Sequence, residues 1–238
     1  MCRRVFQRFL GRSPGSILDV ACGTGRDIRR LHRDCTGIDL LPKVIDYAKV
    51  QAPEVGFHVV DMRSFRLGRT FDVILCFGSA ILYALTNDDL DKTFATFAAH
   101  SNLGSILIMD CRNGIALLGD GFKARIEGDV QARYFSAHWV AKHCLNRPQQ
   151  RLIRKRRWEF STGEQAENYC DYRLLFPLEL ERMLSASGLQ VLSMFDNKEL
   201  RDSDFPGPTL CTIAQRKAEP GERGNACRRA SSWAFDRA

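Results

Sequence analysis

The sequence predicts an α/β fold with a mostly parallel sheet, because short apolar runs alternate with helical segments over its first half. The first apolar run leads into a glycine-rich turn, and later runs end in an acid or in small residues. A second pattern begins near residue 131, where polar and apolar residues alternate as in antiparallel strands with one solvated face. We therefore expect a parallel sheet that carries a small antiparallel insertion.

The individual elements follow from these patterns. Apolar runs predict strands beginning at Ile17 and within 36–40, 57–63, 71–79 and 105–110. Helices are predicted at 27–33 and 41–52, and at 88–101, where Leu90, Phe94, Phe97 and Ala98 recur at helical spacing. This order of elements is typical of βαβ units.

The second half of the chain has a different organisation. Extended segments are predicted at 131–144, 150–160 and 167–175, followed by a helix that has Pro177 in its first turn and ends near Gly188. Two closing strands are predicted at 190–196 and 209–214. We expect a single domain over residues 1–216 with a β lid inserted at about 120–175, and a disordered basic tail over 217–238.

Composition excludes several classes of protein. The chain has 238 residues, of which 45% are hydrophobic and 26% charged, which is typical of a soluble globular protein. Its longest apolar stretch, Val73 to Leu85, is too short to span a bilayer, and its first residues are too polar for a signal peptide. The nine cysteines show no CxxC spacing, so we expect reduced thiols, no zinc site and a cytoplasmic location.

The segment from Asp19 to Gly25 predicts a ligand-binding turn between a strand and a helix. Its glycines allow the backbone to approach a ligand closely, and the helix start offers free N–H groups. No Gly-Lys-Ser/Thr follows, so this is not a P-loop, and the leading acid and the missing third glycine distinguish it from the dinucleotide fingerprint. Asp39, 20 residues after Asp19, suits a ribose diol.

These features resemble the class I S-adenosylmethionine-dependent methyltransferases, whose first motif has the form D-x-[GA]-C-G-T-G. The resemblance covers residues 16–113 and implies a Rossmann-like, mostly parallel seven-stranded sheet with an antiparallel strand at the C-terminal end. It also implies S-adenosylmethionine as cofactor, S-adenosylhomocysteine as product, and no metal. The cofactor-binding residues that it implies are Asp19, Ala21, Cys22, Gly23, Gly25, Asp39, Leu40, Asp61, Met62 and Phe77.

Three stretches, 18–25, 61–69 and 77–79 followed by a tyrosine, are similar to the amino-sugar N,N-dimethyltransferases of macrolide biosynthesis. This similarity implies N-methylation of a small-molecule amine, either an amino sugar or another natural-product intermediate. Arg112-Asn113 is also similar to a segment of glycine N-methyltransferases whose arginine holds the substrate carboxylate. We therefore expect Tyr83, Arg112 and Asn113 to contact the acceptor. Candidate general bases in the lid are His138, Tyr134 and His143.

Three alternatives remain open. A small-molecule O-methyltransferase would need a base or a metal. A nucleic-acid methyltransferase is suggested by the net charge of +7 and the basic run 154–157, but is disfavoured because residues 76–79 lack the Pro-Pro turn of amino-methylating enzymes and no Pro-Cys nucleophile is present. The basic run instead suggests the solvated face of a strand.

The third alternative is a cofactor-binding pseudoenzyme. Only about sixteen residues precede the first strand, whereas the family usually has an N-terminal helix that closes over the site. We expect a chain truncated at this point to bind the cofactor poorly. Finally, we expect a homodimer formed through the lid sheet.

Overall fold

A computed structural model describes residues 2–31, 34–119, 122–132, 135–197, 199–201 and 204–217. These residues form eleven strands, which are β1 (Ser16–Val20), β2 (Asp34–Asp39), β3 (Gly56–Val59), β4 (Phe71–Cys76), β5 (Ser101–Arg112), β6 (Arg125–Gln131), β7 (Ser136–Asn146), β8 (Arg151–Phe160), β9 (Gln165–Arg173), β10 (Leu189–Phe195) and β11 (Thr209–Arg216).

The described helices are α1 (Cys2–Val5), α2 (Ile28–Leu31), α3 (Pro42–Gln51), α4 (Asn87–Ala99), α5 (Gly114–Leu118) and α6 (Pro177–Ala186), with a π-helical turn at Phe6–Leu10 and a 3-10 turn at Ala80–Tyr83. Thr86 and Asp89 begin α4 as a reciprocal capping box, in which each side chain accepts the other's backbone N–H. None of the described helices combines the length and apolar character needed to cross a membrane.

Seven strands form the main sheet in the order β10-β11-β5-β4-β1-β2-β3. Strands β1 to β5 pair in parallel, and β11 is antiparallel to both β5 and β10. The predicted mostly parallel sheet with an antiparallel strand at its C-terminal end is confirmed. Because β1 lies between β2 and β4, the chain reverses its strand order there, which opens a crevice at the carboxyl ends of these strands.

The strands of the main sheet supply side chains to a core on each face. Leu18, Ile74 and Leu107 belong to one core, whereas Ile17 and Val73 belong to the other. Successive strand residues point to opposite faces, so a strand buried on both sides reads as a continuous apolar run. This burial holds the strand ends, and therefore the loops that follow them, in fixed positions.

A second sheet of four antiparallel strands, in the order β6-β7-β8-β9, forms the lid. Leu152 on β8 and Tyr172 on β9 pack into the same core as Leu107 of the main sheet. The first lid strand, β6, was missed by the sequence patterns because charged residues dominate its exposed side and Gly128 stands at its centre. The expected tail lies outside the described residues from 218 onward.

Candidate active site

The first loop, residues 21–25, is tied to the neighbouring strand β2. The Cys22 N–H donates to the Ile38 carbonyl at 2.9 Å, and the Gly23 N–H donates to Asp39 Oδ2 at 3.0 Å. Ala21 and Gly23 both have a φ of 55°, in the left-handed region that favours glycine. Asp39 therefore fixes the loop, a role that the sequence patterns did not reveal.

The two glycines of the loop serve different purposes. A Cβ added at Gly25 would lie 3.0 Å from the Phe57 ring, so this glycine is needed for packing against β3. A Cβ added at Gly23 would meet no atom within 4 Å, although Gly23 lines the main cleft, which runs along the carboxyl ends of β1, β4 and β5. The open space at Gly23 is the space that a bound ligand would fill.

Two more predicted cofactor residues, Leu40 and Asp61, come after strands β2 and β3. The carboxylate of Asp39 also accepts the Leu41 N–H at 3.0 Å, and the intervening Leu40 side chain is 60% exposed. Asp61 is held by the Arg63 guanidinium, with a shortest distance of 2.6 Å between Arg63 Nη2 and Asp61 Oδ2. These hydrogen bonds hold the pKa of the Asp61 carboxyl below its usual range, so it stays an ionised acceptor.

Arg63 extends this contact to the start of α4. Its Nη1 donates to Asp89 Oδ1 at 2.8 Å, and Asp89 is the acidic member of the capping box. Met62 packs against the core on one face of the sheet, and Phe77, after β4, packs against the core on the other face. The sequence analysis did not single out Arg63, although it directly follows the Asp61-Met62 pair.

A cleft of about 1130 Å³ runs along the carboxyl ends of β1, β4 and β5 towards β10 and β11. Four carboxylates, those of Asp19, Asp27, Asp110 and Asp196, line it. Its wall also carries four arginines, which are Arg3, Arg4, Arg26 and Arg30. A cleft with both acidic and basic groups suits a ligand that carries an ammonium or sulfonium together with a carboxylate.

Asp19 is the most perturbed acid of the cleft. It is only 3% exposed, and burial, followed by the negative charges of Asp27 and Asp39, raises the pKa of its carboxyl to about 8. The ionised form is therefore disfavoured until a cation lies beside it. Strong perturbation of a cleft carboxyl by burial and like charge is typical of functional sites.

The lid strands separate the three predicted bases. His138 lies on the outer face, where Nδ1 is 2.9 Å from Asp129 Oδ1 of the adjacent strand. His143 lies on the opposite, inner face, which is the face that carries Leu152. Tyr134 lies outside the described residues. The structure therefore does not bring His138 and His143 together, and the catalytic roles of all three residues remain predictions.

His143 has a defined protonation pattern. Its Nδ1 is 3.0 Å from the Lys123 carbonyl, which can only accept, so Nδ1 carries the proton and Nε2 has a free lone pair. Nε2 is buried and has no hydrogen-bond partner among the described residues. Burial, and then the positive charges of Arg112, Arg154 and Arg156, lower the pKa of this imidazole, so it is neutral at pH 7.

An arginine cluster, defined here as Arg112, Arg154 and Arg156, lies on the inner side of the lid. The guanidiniums of Arg112 and Arg154 lie 5.9 Å and 5.2 Å from the Tyr172 ring centroid, and Arg154 is 8% exposed. Arg156 lies over a tryptophan pair, Trp139 and Trp158, with its guanidinium 4.5 Å and 5.1 Å from their ring centroids. Tyr83, 52% exposed, completes the group with its ring centroid 5.2 Å from that of Tyr172.

The partners of the arginine cluster among the described residues are aromatic rings and one thiol, since Arg154 Nη2 donates to Cys170 Sγ at 3.1 Å. None of the described carboxylates forms an ion pair with its three members. The Nε atoms of Arg154 and Arg156 are buried without a hydrogen-bond partner. A buried cation with no anionic partner is costly, so this surface favours an anionic ligand.

Asn113, also predicted to contact the acceptor, is fully buried. Its amide donates to the carbonyls of Phe205 and Gly207 at 2.8 and 2.9 Å, and its Oδ1 accepts the Ile115 N–H at 3.0 Å to cap α5. These bonds give Asn113 a structural role. Its predicted contact with an acceptor stays a prediction, whereas Arg112 and Tyr83 do meet in one cluster.

The basic run 154–157 is divided by the alternation of strand β8. Arg154 and Arg156 face inward, whereas Lys155 and Arg157 face outward, where Lys155 forms an ion pair with Glu167 at 2.9 Å. The expectation that the whole run forms a solvated face is therefore wrong for Arg154 and Arg156. The amino-acid sequence alone did not reveal which of the two faces of β8 is covered by the rest of the protein.

Comparison with known proteins agrees with this site. The family model described as "Methyltransferase domain" matches residues 17–104, which include the first loop, β2, β4 and the start of β5. A dTDP-3-amino-3,4,6-trideoxy-alpha-D-glucopyranose N,N-dimethyltransferase of Streptomyces venezuelae is 26% identical over 182 residues, which are 74% of this chain and 76% of that enzyme.

A dTDP-4-amino-2,3,4,6-tetradeoxy-D-glucose N,N-dimethyltransferase of Saccharopolyspora spinosa is 36% identical over 98 residues. That alignment covers 40% of this chain and 39% of the relative, so it spans about two fifths of that protein.

Solved structures share the fold. A sugar N-methyltransferase from Streptoalloteichus has a TM-score of 0.75 at 23% identity, covering 91% of this chain and 85% of its own. An S-adenosylmethionine-bound amino pentose methyltransferase from Micromonospora echinaspora has a TM-score of 0.71 at 21% identity, covering 90% and 88%. Residues 17–104 thus match a methyltransferase domain, and the sheet order and the glycine-rich first loop of the chain agree with that match.

Proposed function

We propose that this enzyme N-methylates an amino sugar that is carried on a nucleoside diphosphate. The observation that carries the proposal is the arginine cluster, in which Arg154 is buried and none of the three guanidiniums pairs with a described carboxylate. The names of the curated relatives support it, because those enzymes are dTDP-amino-sugar N,N-dimethyltransferases. We further propose that the enzyme belongs to natural-product biosynthesis.

The cofactor residues fit S-adenosylmethionine in this proposal. The free space at Gly23 admits the ligand, and the Asp39 carboxylate accepts from the ribose hydroxyls. The buried carboxylate of Asp19 lies beside the ammonium of the methionine part, and the arginine side of the cleft takes its carboxylate. The bound cofactor supplies a methyl group on a positively charged sulfur.

The acceptor lies between the main sheet and the lid in this proposal. Arg154 and Arg112 hold the diphosphate, since guanidiniums bind phosphate oxygens in pairs of parallel hydrogen bonds. The tryptophan pair under Arg156 offers an aromatic surface for the nucleobase. The Nε2 lone pair of neutral His143 accepts a hydroxyl hydrogen of the ligand. It does not act as a base in this proposal, because burial and three nearby guanidiniums oppose protonation of the imidazole.

The first experiment compares a dTDP-linked amino sugar with the same amino sugar free of nucleotide, using release of S-adenosylhomocysteine as the readout. We expect turnover of the dTDP-linked amine and at least 100-fold lower kcat/KM for the free sugar. An equal kcat/KM for the two would contradict the proposal. We also propose that no metal takes part, so a chelator should leave turnover unchanged.

The second experiment replaces Arg154 with methionine, which keeps most of the apolar stem. Hydrogen bonds to a charged group are worth about 1.5–3 kcal/mol, so we expect KM for the dTDP-linked amine to rise by roughly 10–100-fold. Arg157→Met is the matched control, since it lies on the same strand but faces outward. Cofactor affinity, measured by calorimetry, should be unchanged in both, and an equal KM in both variants would refute phosphate binding by Arg154.

We propose in addition that the protein works in the cytoplasm as a homodimer joined through the lid sheet. The eight described cysteines are free thiols, in keeping with a reducing compartment. Phe135 and Tyr169, on the lid, are 45% and 64% exposed. Light scattering should give twice the mass of one chain, and the mass of one chain at micromolar concentration would rule out a stable dimer.

A further inference from the structure

Amine methylation sets a requirement that the proposed function leaves open. Amines are largely protonated at neutral pH, and an ammonium has no lone pair with which to attack a methyl group. Some group must therefore remove a proton from the acceptor before transfer. Of the predicted bases, His138 faces away from the inner side of the lid, and His143 lies among three guanidiniums that oppose its protonation.

Asp110 lies where such a group is needed. It stands at the carboxyl end of β5 and lines the main cleft together with Gly78 from the loop after β4. It is two residues before Arg112, whose guanidinium belongs to the arginine cluster. An acceptor whose phosphates rest on that cluster would therefore bring its sugar close to this end of β5.

The carboxylate of Asp110 is held in place by backbone rather than by a cation. Its Oδ1 accepts the Ser79 N–H at 3.1 Å, and the backbone of Gly78 also favours the ionised carboxylate. Gly78 and Ser79 have φ values of 72° and 63°, so two consecutive left-handed residues turn their N–H groups towards the carboxylate. A carboxylate offers about four lone-pair positions, so acceptor capacity remains for a ligand.

The surroundings of Asp110 favour a proton. Burial, as the largest influence, raises the pKa of its carboxyl, and the negative charge of Asp27 acts in the same direction. Thiols on three strands, Cys76, Cys111 and Cys211, are also near it, and the carboxylates of Asp19 and Asp196 line the same cleft. The cations that line the same cleft are Arg3, Arg4, Arg26 and Arg30. An acid of this kind is a better proton acceptor than an ordinary surface carboxylate.

We propose that Asp110 is the catalytic base, which takes the proton from the acceptor ammonium. The inference rests on the proposed function. One N–H bond of the ammonium breaks, its electron pair stays on nitrogen, and the proton passes to an Asp110 oxygen. The nitrogen pair then forms a bond to the methyl carbon as the carbon–sulfur bond breaks, with its electrons left on sulfur. Water returns the proton from Asp110 to the solvent before a second methylation.

The test is Asp110→Asn, which keeps the acceptor oxygen for the Ser79 N–H group. General base catalysis typically contributes about 100–10,000-fold, so we expect kcat at pH 7 for a dTDP-linked amino sugar to fall at least 100-fold. The deficit should shrink as pH rises, because the free amine then forms without help. Cofactor affinity by calorimetry should change by less than twofold. Asp88→Asn, on the exposed start of α4, is the control.

Three outcomes are distinct. An active wild type with an equally active Asp110→Asn variant overturns this inference and leaves the proposed function intact. A fall in activity that follows a matching loss of cofactor affinity, with no change in the pH profile, also overturns it, because Asp110 would then serve the cofactor. A wild type that methylates no amino sugar overturns the proposed function and this inference together. If Asp110→Asn does not fold, Asp110→Glu keeps a carboxylate and should retain a pH profile like that of the wild type.

Discussion

Replacement of Gly23 by valine is expected to abolish cofactor binding, with a loss of affinity of at least 100-fold. An added Cβ at this position meets no protein atom within 4 Å, so the branched side chain would project into the cleft that Gly23 lines. The Gly23 N–H also holds the Asp39 carboxylate at 3.0 Å, so any shift of the loop would displace the predicted ribose ligand. Calorimetric titration with S-adenosylhomocysteine measures the effect directly.

The control for this variant is Gly68→Val. Gly68 has a φ of 66°, close to the 55° of Gly23, and it too has no atom within 4 Å of an added Cβ. Both variants therefore carry a similar backbone strain, of order 1 kcal/mol, in the free energy of unfolding. Only Gly23→Val should lose the ligand. Equal affinity in the two variants would mean that the first loop does not receive the cofactor.

Replacement of Asp19 by asparagine is expected to stabilise the free protein and to weaken cofactor binding. The pKa of this carboxyl is raised from 3.8 to about 8, so the folded state holds a proton that the unfolded state has already lost. Stability contributed by this proton is complete below pH 4 and is lost as pH rises towards 8. Asparagine avoids that loss, so the variant should gain up to about 5 kcal/mol in the free energy of unfolding at pH 8.

The affinity for the cofactor should depend on pH in the opposite direction to the free energy of unfolding. A cation beside Asp19 favours the ionised carboxylate, so the wild type releases a proton on binding, and its affinity for the cofactor rises between pH 6 and 8. The cofactor's own amino group titrates in both proteins, so the difference between wild type and Asp19→Asn isolates the carboxyl. Denaturation over pH 5–8.5 tests the predicted change in stability. Calorimetry in buffers of different ionisation enthalpy tests the predicted proton release on cofactor binding. A variant that is less stable at pH 8 and binds equally well would contradict both.

Much of the main sheet could be predicted from the sequence, because its strands are buried on both faces and so read as continuous apolar runs. The side chains of Val73 and Leu75 pack in one core and that of Ile74 packs in the other, so the assignment of this segment to a buried strand is clear. The first loop was equally clear, since glycine is required where φ is positive and where the Phe57 ring approaches Gly25. Fold class follows from these features, and the family resemblance that the first loop carries implied the cofactor and the reaction type.

The lid and the acceptor side were less predictable. The lid strand β6 has too few apolar residues to be recognised, and its place depends on pairing with β7 rather than on its own sequence. The inward positions of Arg154 and Arg156 depend on which face of β8 is covered, a tertiary property. Asn113 was predicted to contact the substrate, but its side-chain amide donates to backbone carbonyls 92 and 94 residues further along the chain. No local sequence pattern reveals such contacts.

The alternating environment of strand β8 makes acceptor choice sensitive to length changes in the adjoining turns. Side chains on a strand change face every residue, so a single insertion that slips the pairing of β8 with β7 would exchange Arg154 and Arg156 for Lys155 and Arg157. The lid would keep its net charge, but one ammonium and one differently placed guanidinium would replace Arg154 and Arg156. Related enzymes could thus change the anion they accept through one inserted codon in the segment 147–150, without any substitution in the cofactor half.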